Sequence, residues 1–241
     1  MSTQTVNATH DDVQAPGTGR PGSADAAARA LARKYRITAR FYDILDYPWE
    51  RQYRRWRPTL LKGVGGTVLE AGVGTGRNLA HYPADANVTA LDLCPGMVRI
   101  ASKRAESAPC RVTLLCGDAT CLPDQWSNHF DWYIGTFLFC VLPDPLQRPA
   151  LEEMVRVLKP GGRFMIVEML YSSNPRLLRR QKLFTPFVEM VYGARFDRHT
   201  LEHLRDSDGI EILQTRYLKA DTYLLIEGRK KPVEVAEARQ P

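Results

Sequence analysis

The stretch TVLEAGVGTGRNL, Thr67 to Leu79, decides the fold. Val68 and Leu69 read as the end of a buried strand, Gly72, Gly74 and Gly76 as a tight turn, and Asn78 onward as the first turn of a helix. Glycine at alternate positions permits positive φ and, lacking a Cβ, lets a ligand lie directly against the main chain. The spacing departs from the dinucleotide pattern G-x-G-x-x-G, because Arg77 stands where the third glycine would be. Glu70, just before the loop, would repel a pyrophosphate and attract an ammonium group, directly or through water. A ligand with a cationic amino-acid end is therefore expected, and an NAD-linked oxidoreductase is disfavoured.

Outward from that loop, 241 residues with 44% hydrophobic content suffice for one α/β domain with a sizeable core and a modest appendage. The 33 Lys and Arg against 27 Asp and Glu give a net charge of +6, too mild to imply nucleic-acid binding. The five cysteines, Cys94, Cys110, Cys116, Cys121 and Cys140, show no C-x-x-C spacing, so neither a disulfide framework nor a zinc site is written here. Reduced thiols fit a cytoplasmic protein. The longest apolar run, Trp132 to Leu142, falls short of the ~20 residues a membrane span needs. No charged n-region followed by an apolar stretch marks a secretory signal at the start.

Residues 1–24 are polar and read as a disordered tail. From Asp25 the sequence turns amphipathic, with Leu31, Tyr35, Thr38 or Ala39, and Tyr42 at helical spacing. Arg29, Arg33, Lys34, Arg36, Arg40, Arg51, Arg54, Arg55 and Arg57 face only Asp43, Asp46 and Glu50 in that region. This asymmetry suits either peripheral contact with an anionic membrane or a solvated helix face.

After the glycine loop, a helix through His81 leads to a second strand, Asn87 to Leu93, and Pro95 to Glu106 reads as the next helix. Asp92 lies 22 positions after Glu70, where a strand-end carboxylate can accept from both ribose hydroxyls. A third strand, Val112 to Leu115, precedes Gly117, Asp118 and Ala119, and Phe130 to Phe139 gives a fourth. A helix carrying Leu151, Met154, Val155 and Leu158 follows, stopped at Pro160 and Gly161 before the fifth strand. Such regular β-α alternation predicts a parallel sheet. Pro175 to Gly193 is a basic-aromatic helical insertion. A helix capped by Asp197 follows, then two strands, Glu211 to Lys219 and Thr222 to Glu227, as a tight antiparallel hairpin.

The ordered set of ExGxGxG at Glu70 to Gly76, Asp92, GDA at Gly117 to Ala119, and LKPGG at Leu158 to Gly162 resembles the class I S-adenosylmethionine-dependent methyltransferases. The likeness covers about Tyr35 to Lys230. YDILDYPWERQYRRWR, GVGTGRNLAHYP, TFLFCVLPDP and GARFDRHTLEHL are similar to the branch holding quinone C-methyltransferases, phospholipid N-methyltransferases and methyltransferase-like thiol S-methyltransferases. The resemblance implies a Rossmann-like, seven-stranded, mostly parallel sheet with an antiparallel last strand and helices on both faces. It divides the chain into amino-terminal lid helices at 25–62, a methyltransferase domain at 63–231 with an acceptor-side insertion at 172–196, and a frayed tail at 232–241.

By the same resemblance, Glu70, Gly72, Gly74 and Gly76 hold the methionine part of S-adenosylmethionine, Asp92 the ribose, and Met97, Asp118 and Ala119 the adenine. Tyr42, Thr136, Cys140, Tyr192 and His199 are candidates on the acceptor side, with plainer readings beside them: Cys140 as a packed thiol, Tyr42 as a lid residue touching the cofactor, and His199 as a surface helix residue. Close relatives often end the fifth strand in Glu-His; here Glu168 is followed by Met169, so no role passes from that histidine. No carboxylate and histidine cluster for a metal is evident, and Cys110, Cys116 and Cys121 fit strand and loop positions better than a converging thiol site. The expected acceptor is a small or lipophilic molecule, of lipid or quinone type before a thiol. A cofactor-binding scaffold without catalysis is the rival from outside the enzymes.

Overall fold

The computed structural model describes residues 42–232, together with Arg33. The tail at 1–24, most of the basic segment from residue 25, and all but the first residue of the tail at 232–241 lie outside the described residues.

Two helices open the described chain, α1 (Tyr42–Leu45) and α2 (Tyr47–Leu61). Five strands then alternate with helical segments: β1 (Thr67–Ala71), β2 (Asn87–Asp92), α3 (Pro95–Ala105), β3 (Arg111–Cys116), β4 (Phe130–Thr136), α4 (Asp144–Val157) and β5 (Leu158–Met169). After α5 (Pro175–Tyr192) and α6 (Thr200–Arg205) the chain closes with β6 (Ile210–Lys219) and β7 (Tyr223–Lys230). One seven-stranded sheet runs β3-β2-β1-β4-β5-β7-β6. β1 to β5 are mutually parallel, and β7 runs antiparallel to both β5 and β6. The expected Rossmann-like sheet is present.

Alternation along the strands splits the core into two layers. Leu69, Tyr133, Phe164 and Ile166 pack with Leu146, Ala150 and Met154 of α4, and Val68, Ile134, Met165 and Val167 pack with Leu61, Leu79, Tyr82 and Ala101. Covered on both faces, β1 and β4 are near-continuous apolar runs, as buried parallel strands must be. The order of β1, with β2 and β3 to one side and β4 to the other, makes a topological switch point at the carboxyl end of β1, where sheets of this kind open a crevice for ligands.

Four local expectations change. Strand β4 ends at Thr136, short of the expected Phe139, because Phe137 turns to a φ of 59°. No full helix follows the glycine loop: Leu79–His81 form a single 3₁₀ turn. Pro83 bars its continuation, and the Asn78 side chain is drawn inward toward Glu70 and Thr136. Helix α4 ends at Val157, earlier than Pro160, because Leu158 already adopts an extended conformation and pairs with Phe130. Asp197 does not cap α6. His199 takes that position without a side-chain bond, while Asp197 accepts from Arg195 at 2.6 and 2.9 Å.

The hairpin forms as read, turning at Ala220 with a φ of 45°. Its tip is tied to the start of the insertion: Asp221 accepts from the Ser172 hydroxyl at 2.6 Å and from the Ser173 N–H at 2.6 Å. Helix α5 is delimited by its own sequence. Asn174 accepts from the Arg176 and Leu177 N–H groups, Pro175 occupies the first turn, and Gly193 ends the helix at a φ of 68°.

Candidate active site

One large cavity opens at the carboxyl ends of the parallel strands. Its lining includes Gly72, Val73, Gly74 and Thr75 after β1, Asp92 at the end of β2, Gly117, Asp118 and Ala119 after β3, and Thr136 at the end of β4 with Phe137 and Leu138 after it. The rest of the lining includes an apolar set, Trp49 and Tyr53 from α2, Met169 from β5, Val188 and Tyr192 from α5, Phe196, and Tyr223 from β7, beside the charged Asp46, Arg57 and Arg77.

The loop geometry follows from its glycines. Gly72, Gly74 and Gly76 all have positive φ, at 72°, 55° and 81°. A Cβ on Gly72 would meet Leu138 at 3.0 Å, and one on Gly76 would meet the Ala101 backbone at 3.0 Å. Gly74 differs, because open space lies where its Cβ would project and it lines the cavity. Main chain is thus presented to a ligand at Gly74, whereas Gly76 seats the loop on α3.

Asp92 organises the floor. Its Oδ2 accepts from the Gly74 N–H at 2.8 Å and its Oδ1 from the Cys94 N–H at 2.9 Å, so the carboxylate joins the glycine loop to the start of α3. Burial raises its pKa, opposed by those two N–H donors. Each oxygen retains a second lone pair for a ligand hydroxyl. Asp118 Oδ1 accepts from the Thr120 N–H and hydroxyl at 2.8 and 2.7 Å, leaving Oδ2 for a ligand. Met97 is 2% exposed and packs with Cys94 under Tyr42.

Glu70 is not part of the cavity wall. It is buried beneath the loop, with Oε1 accepting from Asn78 Nδ2 at 2.7 Å and Oε2 from the Tyr82 hydroxyl at 2.9 Å. Burial, outweighing these two donors, pushes its pKa up to about 7. The wall position is held by Asn78, whose Nδ2 also donates to Thr136 Oγ1 at 3.0 Å and whose Oδ1 accepts from Arg57 Nε at 2.8 Å. Glu70 therefore does not reach the cavity itself, and the Asn78 side chain stands between the two.

Of the acceptor-side candidates, Tyr42, Thr136, Cys140 and Tyr192 do come together around the cavity. Tyr42 and Trp49 both meet the Tyr192 ring edge-on, at 5.6 and 5.9 Å between centroids. Burial raises the pKa of both tyrosines. Burial, and next the nearby Glu168 carboxyl, lift the Cys140 thiol well above its ordinary value, and its Sγ donates to the Phe137 carbonyl at 3.2 Å. Cys140 is a packed thiol, not a thiolate. His199 stands apart: it is exposed and pairs with Glu202 at 3.0 Å when protonated, and it does not line the cavity.

Sequence reasoning missed Arg77. Its guanidinium gathers Asp43 at 2.9 Å, Asp46 at 2.5 Å and Glu50 at 2.6 Å, and so fastens α1 and α2 to the glycine loop. Arg104 adds a second tie, donating to Asp43 at 2.7 Å and to the Thr75 carbonyl. Phe137 was missed as well. It holds a φ of 59°, unusual for an aromatic residue, at the bend where β4 meets the cavity, and its ring lies 4.7 Å from that of Tyr53. Neither the type of residue nor its spacing carries a signal for that bend. Among the described residues no group of His, Cys, Asp and Glu is arranged to hold a metal ion.

Comparison with known proteins places this geometry. A family model described as a methyltransferase domain matches residues 68–162. A demethylmenaquinone methyltransferase of Renibacterium salmoninarum is 35% identical over 185 residues, covering 74% of this chain and 71% of that protein. A demethylmenaquinone methyltransferase of Staphylococcus aureus is 32% identical over 181 residues, covering 72% and 71%. Among solved structures, a Thermotoga maritima S-adenosylmethionine-dependent methyltransferase, described as a possible histamine N-methyltransferase, superposes with a TM-score of 0.62 at 24% identity, over 83% of this chain and 100% of that one. Matched by that domain model and by relatives above 30% identity over about three quarters of its length, the chain belongs to the class I S-adenosylmethionine-dependent methyltransferases.

Proposed function

We propose that the enzyme methylates a small lipophilic acceptor of quinone type, and that the cavity wall built from Trp49, Tyr53, Met169, Val188, Tyr192, Phe196 and Tyr223 holds it. That apolar set, lining the same cavity as the glycine loop, is the observation that carries the reading. The demethylmenaquinone methyltransferases among the relatives support it.

The residues present fit the methyl donor. The open backbone at Gly74 and the amide of Asn78, backed by Glu70, suit its amino-acid end. Asp92 suits the ribose, and Met97 with Asp118 and Ala119 the adenine. When bound, S-adenosylmethionine supplies an electrophilic methyl on a sulfonium; the acceptor's electron pair forms the new bond as the carbon–sulfur bond breaks, leaving a neutral thioether. The protein's part is alignment and water exclusion, an effect worth up to ~7–11 kcal/mol in favourable cases. Helices α1, α2 and α5 form the lid that provides both.

A carbon or phenol acceptor must also lose a proton. Tyr42, Tyr192 and Cys140 all have raised pKa values and cannot serve as preformed bases at neutral pH. That leaves the proton to the acceptor's own ionisation or to Asp46, the cavity carboxylate whose pKa burial pushes up to about 6; in either case the enzyme turns over faster as pH rises. An acceptor panel with labelled S-adenosylmethionine tests the reading, comparing a short-chain quinol, small thiols and phospholipids. Label in the quinol supports it. Label confined to thiols or phospholipid, or in none of them, overturns it.

A further inference from the structure

We propose that the outward face of α5 is a seat for an anionic lipid bilayer, from which the lipophilic acceptor reaches the cavity; this rests on the acceptor reading above. Arg176, Arg179, Arg180, Leu183, Phe187 and Met190 recur at intervals of three and four, and so share one face of the helix. All six are exposed. Leu183 is 76% and Met190 67% exposed, values that no requirement of the core explains.

The face is divided along its length, with cations in the first turns and apolar side chains in the later ones. Arg176, Arg179, Arg180 and Lys182 have no ion-pair partner among the described residues, and Glu189 is the helix's one acid. Helices that lie in a membrane interface combine basic side chains with Leu, Phe and similar anchors in this way. A bilayer suits the surface better than a second copy of the chain, because two such faces would oppose like charges, whereas anionic headgroups neutralise them.

The opposite face of the same helix connects this seat to the chemistry. Val188 and Tyr192 line the cavity, so one helix separates the proposed bilayer from the acceptor wall. The turns packed on its carboxyl end, through Tyr42 and Trp49 against Tyr192, expose Ile44 at 73% and Tyr47 at 66%. These add apolar surface of the kind the interface receives. Among the described residues no helix is long and apolar enough to cross a membrane.

Co-sedimentation of the full chain with phosphatidylcholine vesicles, with and without phosphatidylglycerol, tests the surface. The expected result is binding that needs phosphatidylglycerol and falls with salt. Binding should drop at least about tenfold in an Arg179→Glu/Arg180→Glu double variant, and also in Leu183→Glu, with thermal melting unchanged in both. Equal binding to neutral vesicles, no effect of either variant, or sedimentation equilibrium showing that these residues close a dimer would overturn it. Methylation of a water-soluble short-chain quinol, assayed without vesicles, separates this proposal from the acceptor reading. Both variants should retain that activity, since none of the three substituted residues lines the cavity. Quinol methylation without anionic-vesicle binding overturns the bilayer seat alone, and vesicle binding that follows α5 without quinol methylation overturns the acceptor assignment alone.

Discussion

Asp92 joins two loops by accepting one N–H on each oxygen. Replacing it with Asn leaves shape nearly unchanged but gives one of those N–H groups a donor instead of an acceptor, and removes the charge that strengthens the remaining bonds. A hydrogen bond to a charged group contributes about 1.5–3 kcal/mol, so Asp92→Asn should weaken S-adenosylmethionine binding by about tenfold to a hundredfold in calorimetry. Unchanged affinity would remove Asp92 from the cofactor site. Glu70 makes a different prediction, through linkage. Its folded pKa is raised from the ordinary 4.5 to about 7, so the fold holds this proton more tightly than the unfolded chain does. The associated stability is complete below pH ~4.5 and is lost as pH rises to about 7. Glu70→Gln should remove that slope: the difference in unfolding free energy between variant and parent should shift in the variant's favour across this window, by on the order of 3 kcal/mol at most. Parallel melting curves at pH 5 and pH 8 would show that Glu70 does not titrate as its burial implies. Asp92 was legible in the sequence because a strand's end and a 20-odd-residue interval locate it. The inward turn of Glu70 was not, because the partner amide on Asn78 sits at a position that reads locally as a helix start.

At the scale of elements, the sheet was legible and the latch was not. Apolar runs bounded by turn residues give β1 to β5 directly, and the two-residue interval before Thr222 forces β6 and β7 into an antiparallel pair. Arg77, by contrast, reads in sequence only as a missing third glycine. Its role depends on three carboxylates lying 27 to 34 positions earlier, brought together only when α1 and α2 dock. Those helices consequently turn their acids inward and leave Arg51, Arg54 and Arg55 exposed. Burial, reinforced by Glu50 and Asp43, pushes Asp46 up to about 6 even with Arg77 beside it, which shows how much the cluster relies on that one guanidinium. Arg77→Met would leave carboxylates half-buried without their shared cation. Since Arg57 and Arg104 remain and Asp43 is partly solvated, the cost should fall at about 2–4 kcal/mol, around the low end for breaking a buried pair. The consequence is local opening, so limited trypsin digestion after Arg51, Arg54 and Arg55 should speed up well before global unfolding. Digestion at the parent's rate would mean that aromatic packing on Tyr192, and not the latch, holds α1 and α2 in place.

Across the whole molecule, the cavity is lined on one part by the carboxyl edge of the parallel strands and on another by α1, α2 and α5, the proposed lid, which are tied in by the Arg77 cluster, by Tyr42 and Trp49 against Tyr192, and by the Asp221 tie to Ser172 and Ser173. A ligand enclosed by both stabilises the assembly by its binding free energy, about 2.7 kcal/mol at a hundredfold excess over Kd. For a chain of this size that corresponds to a rise in Tm of about 5–10 °C. Its distribution is the sharper test. Hydrogen exchange should slow most in residues 42–61 and around the glycine loop, and least along β6, which lies at the sheet edge and contributes no residue to the cavity. A rise in Tm without slower exchange in α1 and α2 would place the cofactor on the strand ends alone and leave the lid for the acceptor. Protection of α1 and α2 by S-adenosylmethionine alone would mean that donor binding completes the apolar wall before the acceptor arrives, because Trp49 and Tyr53 belong to the segment being ordered.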